Sequence, residues 1–282
     1  MSTHLLGISL AVLSMLCFAI TYAFYKGCVP YLPNTHAIFF QSLMSWLLIL
    51  PFALKDGVKA LISPQLGKII ARTLFGILGL YCITRALQTT GLAEVITLNN
   101  AAPLFVPLIL WIWHRTKISK KLALGLLIGF IGVWVIFRPG FQEIHLDLVI
   151  AFLSAIFTAL LLVVTRQIAH EPFMRILFYY FLLFWLVLLP FVLASWVPIP
   201  PFVWLYILGA ALAMIAAQVS FTMALRQVPS QEVAPFLYTT VIFGGLIDWW
   251  IWKETPHLIS LVGMAIVCTG GIMTINFSQK KT

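Results

Sequence analysis

Between Arg175 and Arg226 the chain runs through residues 176–225 without a single Asp, Glu, Lys or Arg. A helix or strand that faces water needs a polar side, and nothing in this stretch supplies a charged one. An apolar run of about 18 residues or more reads as a membrane-spanning helix, and roughly 20 residues cross the hydrocarbon core. This stretch is too long for one crossing. Pro198-Ile199-Pro200-Pro201 divides it, because proline cannot continue a helix and disfavours helix in the residue before it. It therefore holds two spans with a short turn between them.

Applied along the chain, the same logic places spans at about 5–25, 36–54, 69–88, 93–113, 122–137, 146–165, 233–252 and 257–277 in addition to those two. Ten helices fill 282 residues and leave no room for a second, soluble domain. Composition agrees: 62% of residues are hydrophobic and 9% charged, against about 25% charged in a soluble domain. Soluble, disordered and collagen-like classes are excluded. The first apolar run has no preceding Lys or Arg and no evident cleavage site, so it is expected to be a retained helix. Cys17, Cys28, Cys82 and Cys268 form no C-x-x-C pair, and three lie within apolar runs, so packed thiols are expected, with no metal site and no cofactor.

In a soluble protein the net charge of +9 would suggest a nucleic-acid partner. Here the basic residues sit in short loops, so orientation and contact with anionic lipid are the readings and no nucleic acid is expected. With the N-terminus in the cytoplasm, Lys55, Lys59, Lys68, Arg72, Arg115, Lys117, Lys120, Lys121, Arg166, Arg175, Arg226, Lys280 and Lys281 fall on one side, and Lys26, Arg85, Arg138 and Lys253 on the other. That asymmetry predicts cytoplasmic termini.

The sequence also matches itself at an offset of 138. Ala86-Leu87 falls on Ala224-Leu225, Glu94-Val95 on Glu232-Val233, Trp111 on Trp249, Arg115 on Lys253, Gly125 on Gly263 and Gly132 on Gly270. Upstream the offset drifts to 139–140, pairing Pro51-Phe52 with Pro190-Phe191 and Leu13-Ser14 with Leu153-Ser154. The expectation is an all-α membrane protein of ten transmembrane helices built as two inverted five-helix repeats, 1–138 and 139–282. Five is odd, so the second copy must enter the membrane from the opposite face. Inverted repeats are the architecture of secondary transporters.

The stretch Arg85-Ala86-Leu87-Gln88-Thr89-Thr90-Gly91-Leu92-Ala93-Glu94, with Ala102-Pro103 and Trp252-Lys253-Glu254, resembles the EamA-type drug/metabolite transporter superfamily. His114-Arg115 and Val241 depart from the superfamily pattern, which has Gly-Glu and a proline there. The resemblance covers both halves. It implies ten helices, cytoplasmic termini in an inner membrane and a central substrate cavity; similar members move amino acids, S-adenosylmethionine, nucleotide-like metabolites or drugs.

Polar residues within spans tend to face the bundle interior or a cavity. Arg85 shares a helix face with Tyr81 and Gln88 and could fork onto a carboxylate or phosphate, or snorkel to the headgroups. Asn99 and Asn100 precede Pro103, and Tyr238, Thr239 and Thr240 occupy the matching stretch of the second half. Ser14 and Thr21 on the first helix, Ser154 and Thr158 on the sixth, and Gln218 and Thr222 on the eighth recur at helical spacing. These residues are the expected substrate-binding set, with interhelical hydrogen bonding as the rival reading. Asp248 is a candidate coupling carboxylate, or else a structural one paired near the interface. Glu94 and Glu232 read as helix caps, and Gly125-x-x-x-Gly129 as packing within the protomer or a dimer contact. His170-Glu171 lacks the second histidine of a zincin, because Met174 stands there, and no P-loop occurs.

A secondary transporter moving a small polar or amphipathic metabolite by alternating access, as monomer or homodimer, is the leading reading. A membrane-embedded enzyme would need clustered catalytic groups, and none is evident. A scaffold would not need polar residues on equivalent helices of two repeats.

Overall fold

The computed structural model describes residues 3–55, 57, 61–115, 119–137, 146–168, 171–227, 234–254 and 258–279. Among them there are helices and no strand. The helices are α1 (Thr3–Cys28), α2 (Asn34–Ala53), α3 (Leu66–Ala86), α4 (Leu92–Asn99), α5 (Ala102–His114), α6 (Lys120–Phe137), α7 (Leu146–Gln167), α8 (Phe173–Ala194), α9 (Val203–Gln227), α10 (Thr239–Ile247) and α11 (Leu258–Gln279). A 3-10 turn, Ala234–Tyr238, enters α10, and a π turn, Asp248–Trp252, leaves it. Seven segments are long and apolar enough to cross a membrane, with α4 and α5 counting together as Leu92–Trp113. The shorter apolar helices Phe236–Trp252 and Leu261–Thr274, with α6, bring the total to ten.

Local chemistry sets the boundaries. Pro33 and Pro172 cap the starts of α2 and α8 from extended backbone (ψ 145° and 129°), where their missing N–H leaves nothing unpaired. Arg115 and Lys253 end α5 and the π turn in left-handed conformation (φ 49° and 58°). They are a pair at the 138 offset. Glu232, His170, Lys59, Lys117, Arg138, Lys280 and Lys281 lie outside the described residues.

The bundle is inside-out relative to a soluble protein. Leu205, Trp250, Ile112 and Leu127 are exposed on its outside, where lipid covers them. Ser14, Thr21, Thr97 and Ser154 are buried, and each hydroxyl donates within its own helix, as Ser14 does to the Ala11 carbonyl at 2.7 Å. That local bond leaves few demands on neighbouring helices. Helices pair as α1 with α9, α3 with α7, α2 with α8, α4 with α10 and α6 with α11. One apolar core, around Phe181, Phe184, Ile38 and Ile207, joins α1, α2, α3, α8 and α9. A second, around Leu98, Leu104, Ile136 and Val267, joins α4 to α7 with α10 and α11.

The seam between α6 and α11 runs through glycine. A methyl built on Gly132 would come 2.5 Å from the Val267 nitrogen and 2.9 Å from the Gly263 carbonyl oxygen, and one on Gly125 3.0 Å from the Thr274 nitrogen. Gly129 faces Leu104 and the Gly270 backbone. The Gly125-x-x-x-Gly129 pattern is thus occupied by packing within the protomer.

Candidate functional site

A break in the fourth span begins the site. Pro103 has no N–H to return to the Asn99 carbonyl, so the α-helical ladder stops at Asn99. Two i→i+3 bonds, Ala101 N–H to Leu98 O (3.2 Å) and Leu104 N–H to Ala101 O (2.9 Å), carry the chain into α5. At the position 138 residues on, the 3-10 turn gives way to α10 at Tyr238–Thr239. The two breaks touch: Asn100 Nδ2 donates to the Leu237 carbonyl at 3.2 Å. Asn99 turns the other way and donates from Nδ2 to Ser154 Oγ (3.0 Å) and Thr158 Oγ1 (2.9 Å) on α7.

Beside these breaks lies a cavity of about 180 Å3. Its walls come from α1 (Met15, Phe18, Tyr22), α3 (Arg72, Gly76, Gly79), α4 (Ile96, Asn99, Asn100), α7 (Thr158, Leu161, Thr165), α8 (Tyr180), α9 (Met214, Gln218, Phe221) and the second break (Leu237, Thr240). It is mostly apolar, with a few convergent polar groups, the usual composition of a small-molecule site. Among the described residues its one formal charge is Arg72, only 7% exposed. The Arg72 Nε donates to Thr165 Oγ1 at 2.9 Å, and the guanidinium lies 5.2 Å from the centre of the Tyr180 ring. Its Nη1 is buried without a partner.

The expected site residues divide sharply. Asn99, Asn100, Thr158 and Gln218 line the cavity, and Thr240 with them. Ser154 stands one hydrogen bond behind, holding Asn99. Ser14, Thr21, Thr222 and Thr239 are off the wall, each bonded to a carbonyl of its own helix turn. Tyr238 is buried over Gly271, its hydroxyl unpartnered, and does not reach the cavity. Tyr81 is 41% exposed on the outside of α3. Arg85 lies on the periphery too, bonded to Gln88 Oε1 at 2.6 Å and paired with Asp147 at 3.3 Å. Helical geometry explains both. Tyr81 and Arg85 follow Arg72 by nine and thirteen positions, rotations of roughly 180° and 220° at 3.6 residues per turn. The face that carries Arg72 to the cavity turns those two away from it.

Asp248 lies at the far ends of α1 and α3 rather than on the cavity wall. It is 2% exposed. One carboxylate oxygen accepts from Lys26 Nζ at 2.8 Å, and the other from the Leu92 N–H (2.5 Å) and Ala93 N–H (3.4 Å). It thus supplies the anion that the N-terminus of α4 favours, the role expected of Glu94, which sits in the same first turn. Lys26 also reaches Glu254 Oε2 at 2.6 Å and lies 4.7 Å over the Trp252 ring. The π turn that ends α10 presents Asp248 to both partners.

Sequence reasoning missed Arg72, Thr165 and Tyr180. The available signal was a second arginine inside an apolar run, but its closeness to the run's basic end placed it among the orienting cations.

A ten-helix membrane bundle with a central, mixed apolar and polar cavity is a membrane-transporter architecture, and comparison with known proteins agrees. The model of the EamA-like transporter family matches residues 5–138 and 146–276; the chain belongs to that family and is a multi-pass inner-membrane protein. It is 27% identical over 265 residues to the pseudopaline exporter CntI of Pseudomonas aeruginosa, covering 93% of each chain. It is 23% identical over 285 residues to an S-adenosylmethionine uptake transporter of Rickettsia prowazekii, covering 100% of this chain and 96% of that one. A riboflavin transporter of Vibrio cholerae is 25% identical over 255 residues, covering 89% and 86%. One solved crystal structure shares the fold at a TM-score of 0.65 and 15% identity, covering 97% of this chain and 98% of the other.

Proposed function

We propose that the protein is a secondary transporter that carries a small polar or amphipathic metabolite across the inner membrane by alternating access through the central cavity. The observation that carries this reading is the shared wall: broken helices from both halves meet at the cavity, joined by the Asn100–Leu237 contact. Transporter sites near the midplane are built from such discontinuous helices at a repeat interface.

Two inverted repeats, 1–138 and 139–282, are part of the proposal. The helix pairing supports them: the first span of each half packs on the third of the other, and the second, fourth and fifth each pack on their own counterparts. The left-handed pair Arg115 and Lys253 and the breaks near 100 and 238 also fall at the 138 offset. Cytoplasmic termini follow from the basic-residue asymmetry. Relatives named for pseudopaline, S-adenosylmethionine and riboflavin support a small metabolite as cargo.

Exchange of labelled amino acids, S-adenosylmethionine or riboflavin between preloaded proteoliposomes and medium tests the reading. Protein-dependent exchange of at least one is expected. A solute that stabilises the purified protein thermally yet never crosses the vesicle wall would overturn it. Reporters at both termini should face the cytoplasm, and one within residues 198–201 the other side.

A further inference from the structure

A buried guanidinium with no countercharge is an unusual thing to keep in a membrane protein. Arg72 donates once to Thr165 and lies beside the Tyr180 ring, and Nη1 is left with no acceptor although it is shielded from bulk water. Among the described residues no carboxylate pairs with it. The acid on the neighbouring loop, Glu171, is already committed to Ser63 and Arg175. Leaving a charge unpaired in a low-dielectric interior is unfavourable, and such residues in spans mark substrate and ion pathways.

Snorkelling to lipid headgroups does not account for it, because the side chain is buried and lines the cavity rather than the outer surface. Packing does not require it either. At the 139 offset Ala211 stands opposite Arg72, and the second half is built there without a cation.

We infer that Arg72 is the receptor for an oxyanion, a carboxylate or phosphate group, on the transported metabolite. This rests on the transport reading above. Thr165 holds the Nε edge, so the distal edge of the fork is the part available to the ligand, in the geometry that suits a two-oxygen acceptor. The remainder of the ligand lies against Phe18, Tyr22 and Met214, with Asn100 and Gln218 as neutral hydrogen-bonding partners. The substrate class is thus an anionic or zwitterionic solute with an apolar body.

The test is equilibrium binding to purified protein in detergent, using matched carboxylate and carboxamide pairs from acetate and acetamide up to 3-phenylpropionate and 3-phenylpropionamide, with inorganic phosphate as a competitor. Wild-type protein should prefer the carboxylate of at least one pair by about 10- to 100-fold, the scale of a charge-assisted contact. Arg72→Gln should abolish the preference while leaving the weaker carboxamide binding in place, and Arg72→Lys should restore only part of it. Retained carboxamide binding also reports that the variant is folded. Competition by phosphate would extend the class to phosphate esters; its absence would confine it to carboxylates. No separation of any pair in wild type, or a separation that survives Arg72→Gln, would overturn the inference. Arg72-dependent binding without exchange in proteoliposomes would sink the transport reading and leave this one standing; exchange of neutral solutes alone, unaffected by Arg72→Gln, would do the reverse.

Discussion

Lys26 and Arg72 are two cations buried to nearly the same degree, 8% and 7% exposed, at opposite ends of the bundle. Lys26 has two carboxylates and an indole face around it. Arg72 has a hydroxyl, a phenol ring and a buried Nη1 with no acceptor. The first has every demand met from within the chain and ties three separate segments together. The second is held in position but not neutralised. A protein that can build the Lys26 arrangement could have supplied Arg72 with an acid as well. Among the described residues Arg72 has none, which distinguishes a charge used to assemble the bundle from a charge kept for something that arrives.

The same substitution at both positions should have opposite consequences. Lys26→Met strands Asp248 beside the α4 N-terminus with Glu254 near it, and should cost about 3–5 kcal/mol, as breaking a buried pair does. A large fall in the thermal midpoint in detergent is the expected readout. Asp248→Asn keeps an oxygen for the Leu92 N–H but not the ion pair; a loss of about 1–3 kcal/mol is expected, with carboxylate binding at the cavity unchanged. Should Asp248 couple transport to protons, that variant would instead lose the pH dependence of transport while keeping exchange. Arg72→Met removes an unneutralised charge and should leave the ligand-free protein within about 1 kcal/mol of wild type, while ligand no longer raises its stability. A drop as large as that of Lys26→Met would erase the distinction.

Glu171 sharpens the comparison, since it is the acid that Arg72 does not have. The hydrogen bond from Ser63, and then Arg175, hold its carboxyl below the ordinary value of 4.5. A depressed acid stabilises the fold above its unfolded value, and that contribution disappears as pH falls through the folded one. Wild type should therefore exceed Glu171→Gln by about 1 kcal/mol near neutral pH, with the difference shrinking below about pH 4.5. The smallest effect belongs to Arg85→Ala. Its pair with Asp147 is substantially exposed, so less than about 1 kcal/mol is expected, and carboxylate preference should be untouched.

The ten spans were readable because lipid demands long uncharged runs, and charges, prolines and glycines punctuate them. The break near Asn99–Asn100 was readable as chemistry local to Pro103, whereas the one at Tyr238 was not, because Val241 stands where the second half would carry the matching proline. The partners were not. Lys26 and Asp248 are 222 positions apart, and no periodicity links them. In α3 the pattern offered two arginines without saying which faced inward, because nearly every position is apolar and no polar face marks the exterior. Arg85 drew attention through Tyr81 and Gln88, residues on the wrong side of that helix. The side that matters is set by α7 and α8, through Thr165 and Tyr180, which no local pattern reveals.

The glycine seam between α6 and α11 bears on how such a bundle can move. Side chains in contact can change rotamer and let two helices slip; backbones in contact have nothing left to rearrange. With the Val267 nitrogen and the Gly263 carbonyl filling the space a methyl would need at Gly132, this joint has no play. In the alternating-access cycle proposed above, such a joint acts as a stator: the rocking falls to the other helix pairs, and these two helices serve as its fulcrum.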